Sequence, residues 1–303
     1  MARPDASGTE SVCPVCLARI PARRVAREGE VRLEKACPEH GAFSVPVWRD
    51  APGAPGLAGW TRPKTPSFPE APATASERGC PFDCGLCPEH GQHTCTVLVE
   101  VTRRCSLGCP VCFASAGRGG KEGTDPAAEE LDGLLRAARA AAGPCNLQLS
   151  GGEPAERDDL PDLVRRAKAA GFPFVQLNTN GLRLAAEPEL AAKLREAGLD
   201  SAFLQFDGAD DAAHLVLRGR SLLEAKLRAV ENLGRAGVGV VLVPTLVPGV
   251  NTDQLGAIIE FGLHRLPTVR GVHFQPVSYF GRHPCPPGDG DRSTIPGIIR
   301  AIR

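Results

Sequence analysis

The chain lacks most of the features that place a protein quickly. Its 303 residues carry 35 basic and 35 acidic side chains, so there is no net charge and no electrostatic footprint for a nucleic acid. No apolar run approaches the ~20 residues that span a bilayer. The opening Met1-Ala2-Arg3-Pro4-Asp5-Ala6 has no apolar signal region, and a cytoplasmic, reducing location is the resulting expectation. There is no Ser-His-Asp arrangement, no phosphate-cradling P-loop and no repeat of solenoid period. Twelve cysteines in 303 residues fall short of the ~8–10% of a disulfide scaffold. Hydrophobic residues make up 42% of the chain, enough for one large domain, or one domain with appendages.

What is present is a pattern of cysteines. Ten of the twelve precede residue 113, mostly in C-x2-C or C-x3-C spacing. In a reducing compartment that clustering predicts metal ligation rather than disulfides. Cys13-Pro14-Val15-Cys16 is one knuckle, and Cys37-Pro38-Glu39-His40 can supply the other half of a four-ligand site. Between them Val31-Arg32-Leu33-Glu34-Lys35 alternates like a short strand. Residues 1–50 therefore predict a small rubredoxin- or zinc-ribbon-like unit. A Cys3His set suits zinc, with mononuclear iron as the other option. Apolar residues are few, so the metal must do much of the folding; His40 reads equally well as a turn residue.

Residues 51–79 are rich in Pro, Ala and Gly and predict a linker. Residues 80–95 bring Cys80, Cys84 and Cys87 in C-x3-C-x2-C spacing. Cys95 can complete four ligands, with His90 and His93 as competitors. That segment predicts an auxiliary iron–sulfur cluster. Cys105, Cys109 and Cys112 then repeat the same spacing. A cubane cluster normally takes four thiolates. A loop offering three leaves one iron without a protein ligand, where a substrate or cofactor can bind. A structural zinc or iron knuckle is the plainer alternative.

From residue 96 onward β-rich and helical segments alternate, with strands expected at 96–101, 145–150, 173–178, 201–206, 239–246 and 269–277. Leu160, Leu163, Val164 and Ala167 form one helical stripe, and Leu222, Leu223, Leu227, Val230 and Leu233 another. Asp125-Pro126 reads as a cap and first helical residue, and Gly171, Gly198 and Gly237 as helix stops. Six such units predict an α/β fold, a partial (βα)6 TIM barrel over residues 96–303, wound right-handed. The last helix is expected near Thr294-Ile295-Pro296.

Ligands bind at the carboxyl ends of parallel strands. There lie the cysteine loop, Gly151-Gly152-Glu153-Pro154, Asn178-Thr179-Asn180-Gly181, Gln205-Phe206-Asp207-Gly208, Thr245 with Asn251, and His273-Phe274-Gln275-Pro276. Glycines allow close approach of backbone to ligand, and Glu153 can accept from an ammonium group. Asp207 or Asn251 alone reads equally as a cap or turn. Arg218 is either a carboxylate anchor or a solvated charge. Cys145 reads as core; His214, His264 and His283 read as surface or capping residues.

The order of these motifs resembles the radical S-adenosylmethionine (SAM) enzymes, whose CxxxCxxC loop and GGE-type motif occupy the first two strand ends. The resemblance implies a [4Fe-4S] cluster on Cys105, Cys109 and Cys112, with SAM bound at the free iron. It also implies cofactor contacts from Gly151, Gly152, Glu153, Pro154, Asn178, Asn180, Gln205, Asp207, Arg218, Thr245 and Asn251. Cys80-Pro81-Phe82-Asp83-Cys84-Gly85-Leu86-Cys87, Cys109-Pro110-Val111-Cys112-Phe113-Ala114, Leu177-Asn178-Thr179-Asn180-Gly181 and Phe274-Gln275-Pro276-Val277-Ser278 narrow it further. Together these look like the archaeal tetraether lipid synthase family and its bacterial relatives, also described as 7,8-dihydro-6-hydroxymethylpterin methyltransferases. The main expectation from that family is reductive SAM cleavage and hydrogen abstraction from an unactivated carbon, leading to C–C bond formation on lipid chains. The alternative is methylation of a pterin precursor. An external electron donor such as ferredoxin or flavodoxin is implied, and peripheral membrane contact would suit a lipid. The family continues well beyond the last residue here, so a fragment or a shortened relative is expected. The non-catalytic rival is an iron–sulfur electron carrier or inactive fragment, which would not cleave SAM.

Overall fold

Alternation in the first fifty residues becomes an antiparallel ribbon. In the computed structural model, which describes residues 8–49, 72, 74–79, 82–83, 87–90, 94–117 and 124–302, strands β1 (Gly8–Val12), β2 (Arg19–Arg27), β3 (Glu30–Cys37) and β4 (Gly41–Arg49) pair in chain order. Cys80, Cys84 and most of the expected linker lie outside the described residues. Glu28 and Gly29 both have positive φ, 47° and 80°, as a two-residue hairpin whose twist matches its strands requires. The interior of the ribbon is thin. Its cluster is Cys13, Ile20 and Cys37, with Cys16 and Phe43 packed against it, so three of the five members are thiols.

The chain forms two compact units, residues 1–68, 72–92 and 287–303 in one, and 69–71 and 93–286 in the other. This division differs from the boundary expected from sequence, which kept 96–303 together. Helix α8 (Ile295–Ile302) packs on β4. The residues before it are drawn in by charge: Arg49 donates to the carbonyls of Asp289 and Arg292 at 2.7 and 3.0 Å, and Arg32 pairs with the Asp289 carboxylate at 2.7 Å.

In the second unit the six expected strands form one sheet. They are β5 (Thr96–Thr102), β6 (Asn146–Gly151), β7 (Val175–Thr179), β8 (Ser201–Gln205), β9 (Gly239–Val243) and β11 (Val269–Val272), adjacent in that order and all parallel. A short parallel pair, β10 (Thr245–Leu246) with β12 (Gln275–Pro276), extends the far end. Helices α1 (Ala128–Ala142), α2 (Leu160–Ala169), α3 (Leu182–Ala186), α4 (Pro188–Glu196), α5 (Asp211–Arg218), α6 (Leu223–Arg235) and α7 (Leu255–Leu263) lie between the strands in sequence. The Leu160, Leu163, Val164 and Ala167 stripe is buried, with at most 1% exposure. Gly171, Gly198 and Gly237 all follow helix ends with positive φ.

Alternation sorts the strand residues into two faces. Val99, Val101, Leu147, Leu149, Val175, Leu177, Ala202, Leu204, Val240 and Leu242 are buried and form the helix-covered face. The opposite face carries Leu98, Glu100, Gln148, Ser150, Gln176, Asn178, Phe203, Gln205, Val241 and Val243, most of them partly exposed.

One expected cap is corrected. Helix α1 begins at Ala128, and Ala127 N–H donates to Glu130 at 2.8 Å. Asp125 instead accepts the Arg104 guanidinium at 2.7 and 3.0 Å, and the Thr102 hydroxyl. A carboxylate beside the cysteine loop satisfies that loop's arginine rather than the helix end.

Candidate metal centre and active site

Two cysteine sites are built in different ways. In the ribbon, Cys13 and Cys16 sit on the turn between β1 and β2, Cys37 ends β3, and His40 lies in the β3–β4 turn. One ligand atom from each lies within 4.8 Å of all the others. Cys16 Sγ is 3.9 Å from Cys37 Sγ, and His40 Nδ1 is 3.5 Å from Cys37 Sγ and 3.7 Å from Cys13 Sγ. Those separations are edges of a small tetrahedron, suited to one ion about 2.3 Å from each sulfur. Burial works against ionising Cys13, but the N–H groups of Cys16 and Val15 at its sulfur bring its pKa down to about 7. A thiolate ligand is therefore accessible near neutral pH.

The second site begins where β5 ends. Cys105, Cys109 and Cys112 lie on a loop with Leu107, packed against Leu182 and Leu222. Among the described residues only the ribbon set converges within 4.8 Å. The loop thiols stand apart, as expected when each binds a different iron of a cubane. Burial pushes the Cys105 and Cys109 thiols up; the Leu107 N–H opposes this at Cys105 and the Arg218 guanidinium at Cys109.

The Gly-Gly-Glu turn is joined to this loop by backbone. Gly152 N–H donates to Thr102 O and Glu153 N–H to Arg104 O, both at 2.8 Å. A Cβ on Gly151, at φ 131°, would meet Thr102 O at 2.1 Å; one on Gly152 would meet Arg104 O at 2.2 Å. The glycines are thus required by the cysteine loop's own backbone, a reason not visible in the spacing.

Glu153 was expected to face an ammonium group. Its carboxylate is buried and accepts from Asn180 N–H at 2.6 Å, Thr179 Oγ1 at 2.7 Å and Ala155 N–H at 3.1 Å. Burial raises its pKa despite these donors and the nearby Lys226 charge. Its carboxylate pins its own turn to the Asn178–Gly181 strand end. Pro154 starts a short 3-10 turn behind it.

Asp207 organises the far side. Fully buried, it accepts Arg218 Nε and Nη2 at 2.7 and 2.8 Å, Thr245 N–H at 3.0 Å, and Gln205 Nε2. Burial disfavours its charge, but Arg218 outweighs that and holds its pKa below the usual carboxylate range. Arg218 further donates to Thr245 Oγ1 at 3.0 Å and to Val111 O, inside the cysteine loop, at 3.1 Å. Its fork is occupied by Asp207, not free as a carboxylate anchor and not a solvated charge. Asn251 is likewise occupied: its amide nitrogen serves Asp207 O and Thr245 O, and its oxygen accepts from Val247 N–H.

Sequence reasoning missed Lys226 and misplaced His214. Lys226 follows the apolar rhythm of α6 as an interruption, yet it is fully buried, donating to Asn180 O and to Gln205 Oε1 at 3.2 Å. Burial lowers its pKa to about 8, Asp207 working against the fall. His214 is buried too, Nδ1 at 3.8 Å from Asp207, with its pKa lowered by burial. Only the strand-end carboxylate, itself legible, hints at either.

Two predicted residues keep unpartnered polar atoms. Asn178 Oδ1 and Asn180 Nδ2 are buried without a protein partner, which native structures rarely tolerate. These orphaned atoms fit a polar cofactor, and the loop of three thiols fits a cluster. Cys87 is buried in the first unit and Cys95 exposed in the second.

The fold and site together define a cluster-binding partial α/β barrel with an appended metal ribbon. The radical SAM superfamily profile matches residues 99–262, more than half the chain, and the protein belongs to that superfamily. An "HMPTM N-terminal zinc ribbon domain" matches residues 6–49. The chain is 41% identical over 97% of its length to the 7,8-dihydro-6-hydroxymethylpterin dimethyltransferase of Methanocaldococcus jannaschii, covering 58% of that protein. It is 34% identical over 55% of its length to the PqqA peptide cyclase of Streptomyces rochei, covering 44% of it. The chain thus spans roughly half the length of these curated relatives. Among solved structures, a methylornithine synthase shares the fold over 69% of this chain and 62% of its own, at TM-score 0.51 and 16% identity. No helix among the described residues is long and apolar enough to cross a membrane.

Proposed function

We propose that this chain is the zinc-ribbon and barrel part of a radical SAM methyltransferase acting on a reduced pterin. The observation that carries the reading is the open face of the sheet. Its β6–β7 half is amide and hydroxyl: Gln148 Nε2 donates to Gln176 Oε1 at 2.7 Å, Gln176 reaches Ser201, and Asn178 reaches Ser150. Its β8–β11 half carries Phe203, whose ring lies 5.4 Å from that of His273. A flat heterocycle edged with donors and acceptors suits an amide row beside aromatic rings. A lipid tail would want a continuous aliphatic lining, so the lipid-joining expectation gives way to the pterin alternative. The printed activity of the M. jannaschii relative supports the same choice.

Cys105, Cys109 and Cys112 would hold the cluster, and the Asn178 and Asn180 side chains would meet SAM. When bound, that pair supplies reductive cleavage of a sulfonium bond and hydrogen abstraction from an unactivated carbon. The protein's own part is positional. Glu153 fixes the Asn180 backbone, Asp207 and Arg218 fix Val111 between two ligands, and Lys226 fixes Asn180 against Gln205.

The test is anaerobic reconstitution, dithionite reduction and addition of SAM with 6-hydroxymethyl-7,8-dihydropterin or with isoprenoid lipid, followed by mass spectrometry. Methylated pterin is expected, with one SAM yielding methionine and 5′-deoxyadenosine and a further SAM giving up its methyl group and leaving S-adenosylhomocysteine. A joined lipid product without methylated pterin would overturn the substrate reading. An assembled cluster that never yields 5′-deoxyadenosine would favour the electron-carrier reading.

A further inference from the structure

The cysteine loop has little regular structure of its own, and its backbone must be held from outside. One residue does so at five points. Arg282 N–H donates to Cys112 O, and Arg282 O accepts from Cys112 N–H, both at 2.8 Å, a two-way antiparallel bridge. Its side chain reaches further along the same loop. Nε donates to Cys109 O at 2.7 Å, Nη2 to Ala116 O at 2.7 Å, and Nη1 to Gly117 O at 3.5 Å. The preceding Gly281 sits at φ 71°, and a Cβ there would meet Phe113 O at 2.2 Å and Cys112 O at 2.6 Å. Arg282 lies 170 positions beyond Cys112 in the chain, (282 − 112), after the last barrel strand and outside every sequence motif.

We propose that Arg282 is a positioning residue for the cluster, and that Gly281 and Arg282 together form a strap fixing the Cys109–Gly117 backbone so that the thiols stay presented. A guanidinium fork is suited to gathering several carbonyls at once, and a lysine is not. Other side chains also tether the loop, Arg218 on Val111 O and Glu156 on the Ser106 N–H, but at different groups, so neither replaces Arg282. With the strap removed, the loop opens locally while the barrel stays folded. The inference rests on the family's cluster site and not on the identity of the substrate.

The experiment uses the full chain, reconstituted anaerobically, as wild type, Arg282→Ala, Arg282→Lys and Gly281→Ala. The control is Arg166→Ala, which removes an ion pair to Asp132 on the neighbouring outer helix and one to Asp162 within its own helix. The readout is the reduced-cluster EPR signal that shifts on addition of SAM, followed over time in the presence of an iron chelator. Zinc content and far-UV circular dichroism report the remaining fold. Loss of three charge-assisted bonds predicts signal decay roughly ten-fold or more faster in Arg282→Ala. Gly281→Ala should decay in the same direction, Arg282→Lys in between, and Arg166→Ala at the wild-type rate despite lower thermal stability. Wild-type decay in Arg282→Ala would overturn the proposal. If Arg282→Ala does not fold, Arg282→Lys decides: faster decay with zinc retained supports the strap, and unchanged decay overturns it. Equal acceleration in Arg166→Ala would reduce Arg282 to a general stabiliser and also overturn it.

Discussion

The ribbon and the barrel both hold cysteines in short spacings, yet they prepare them in opposite ways. In the ribbon, four ligand atoms already converge within 4.8 Å, and the ligand thiols themselves make up much of the small apolar cluster around Ile20. In the barrel, three thiols are spread along a loop whose shape is imposed by neighbours: Gly151 and Gly152 beneath it, Arg218 and Arg282 on its carbonyls. A mononuclear ion needs one point, so local turns suffice. A cubane needs separated thiols and an open iron, and separation must be maintained by tertiary contacts.

The contrast can be broken in order of effect. Cys109→Ala should abolish 5′-deoxyadenosine formation, read by chromatography, while zinc per chain stays at the wild-type value. Cys37→Ala should do the reverse. Structural zinc contributes roughly 10–16 kcal/mol in small peptides, so residues 8–49 should become protease-sensitive while SAM cleavage persists. Parallel loss of both activities in either variant would contradict the separation drawn here. Asp207→Asn leaves the Arg218 cation buried without its partner, a cost of about 3–5 kcal/mol, measurable by anaerobic denaturant unfolding. Gly152→Ala pushes a methyl group into Arg104 O; overpacking of about 1–3 kcal/mol should appear as weaker SAM binding by calorimetry with the ribbon's metal intact.

The smallest effect is a pH dependence. The folded pKa of Lys226 lies at about 8, below the 10.5 of the free side chain. The unfolded chain therefore binds more protons between those values, and stability from this residue rises as pH climbs through that window. Lys226→Met should remove the rise. Denaturation of both proteins at pH 8 and pH 10 checks this, wild type gaining on the variant at the higher pH.

Much of this could be read from residues alone because it is local. Apolar, β-rich runs marked all six barrel strands. The four-ligand knuckle set was legible because two-residue spacings fix where neighbouring thiols point. The strand-end rule pointed to Glu153, Asn180 and Asp207, but not to the protein partners that hold them. Glu153 turned out to be a pin rather than an open acceptor, because its oxygens meet donors from β7 that sequence distance hides. His214 read as a surface or capping residue and Lys226 drew no reading at all, because periodicity assigns a face by hydrophobicity, and a buried cation breaks that rule.

The sequence by itself determined that the thiols are grouped for metals and that six β–α alternations build a barrel, and the order of its motifs carried the resemblance to the radical SAM enzymes. Only the tertiary structure decided which side chains are free for ligands and which are held by one another. Asn178 and Asn180 keep unpaired atoms, whereas Arg218, Asn251 and Arg282 hold backbone. The physical reason is that hydrogen bonds saturate: whether a polar group is available depends on partners that only folding brings within about 3 Å.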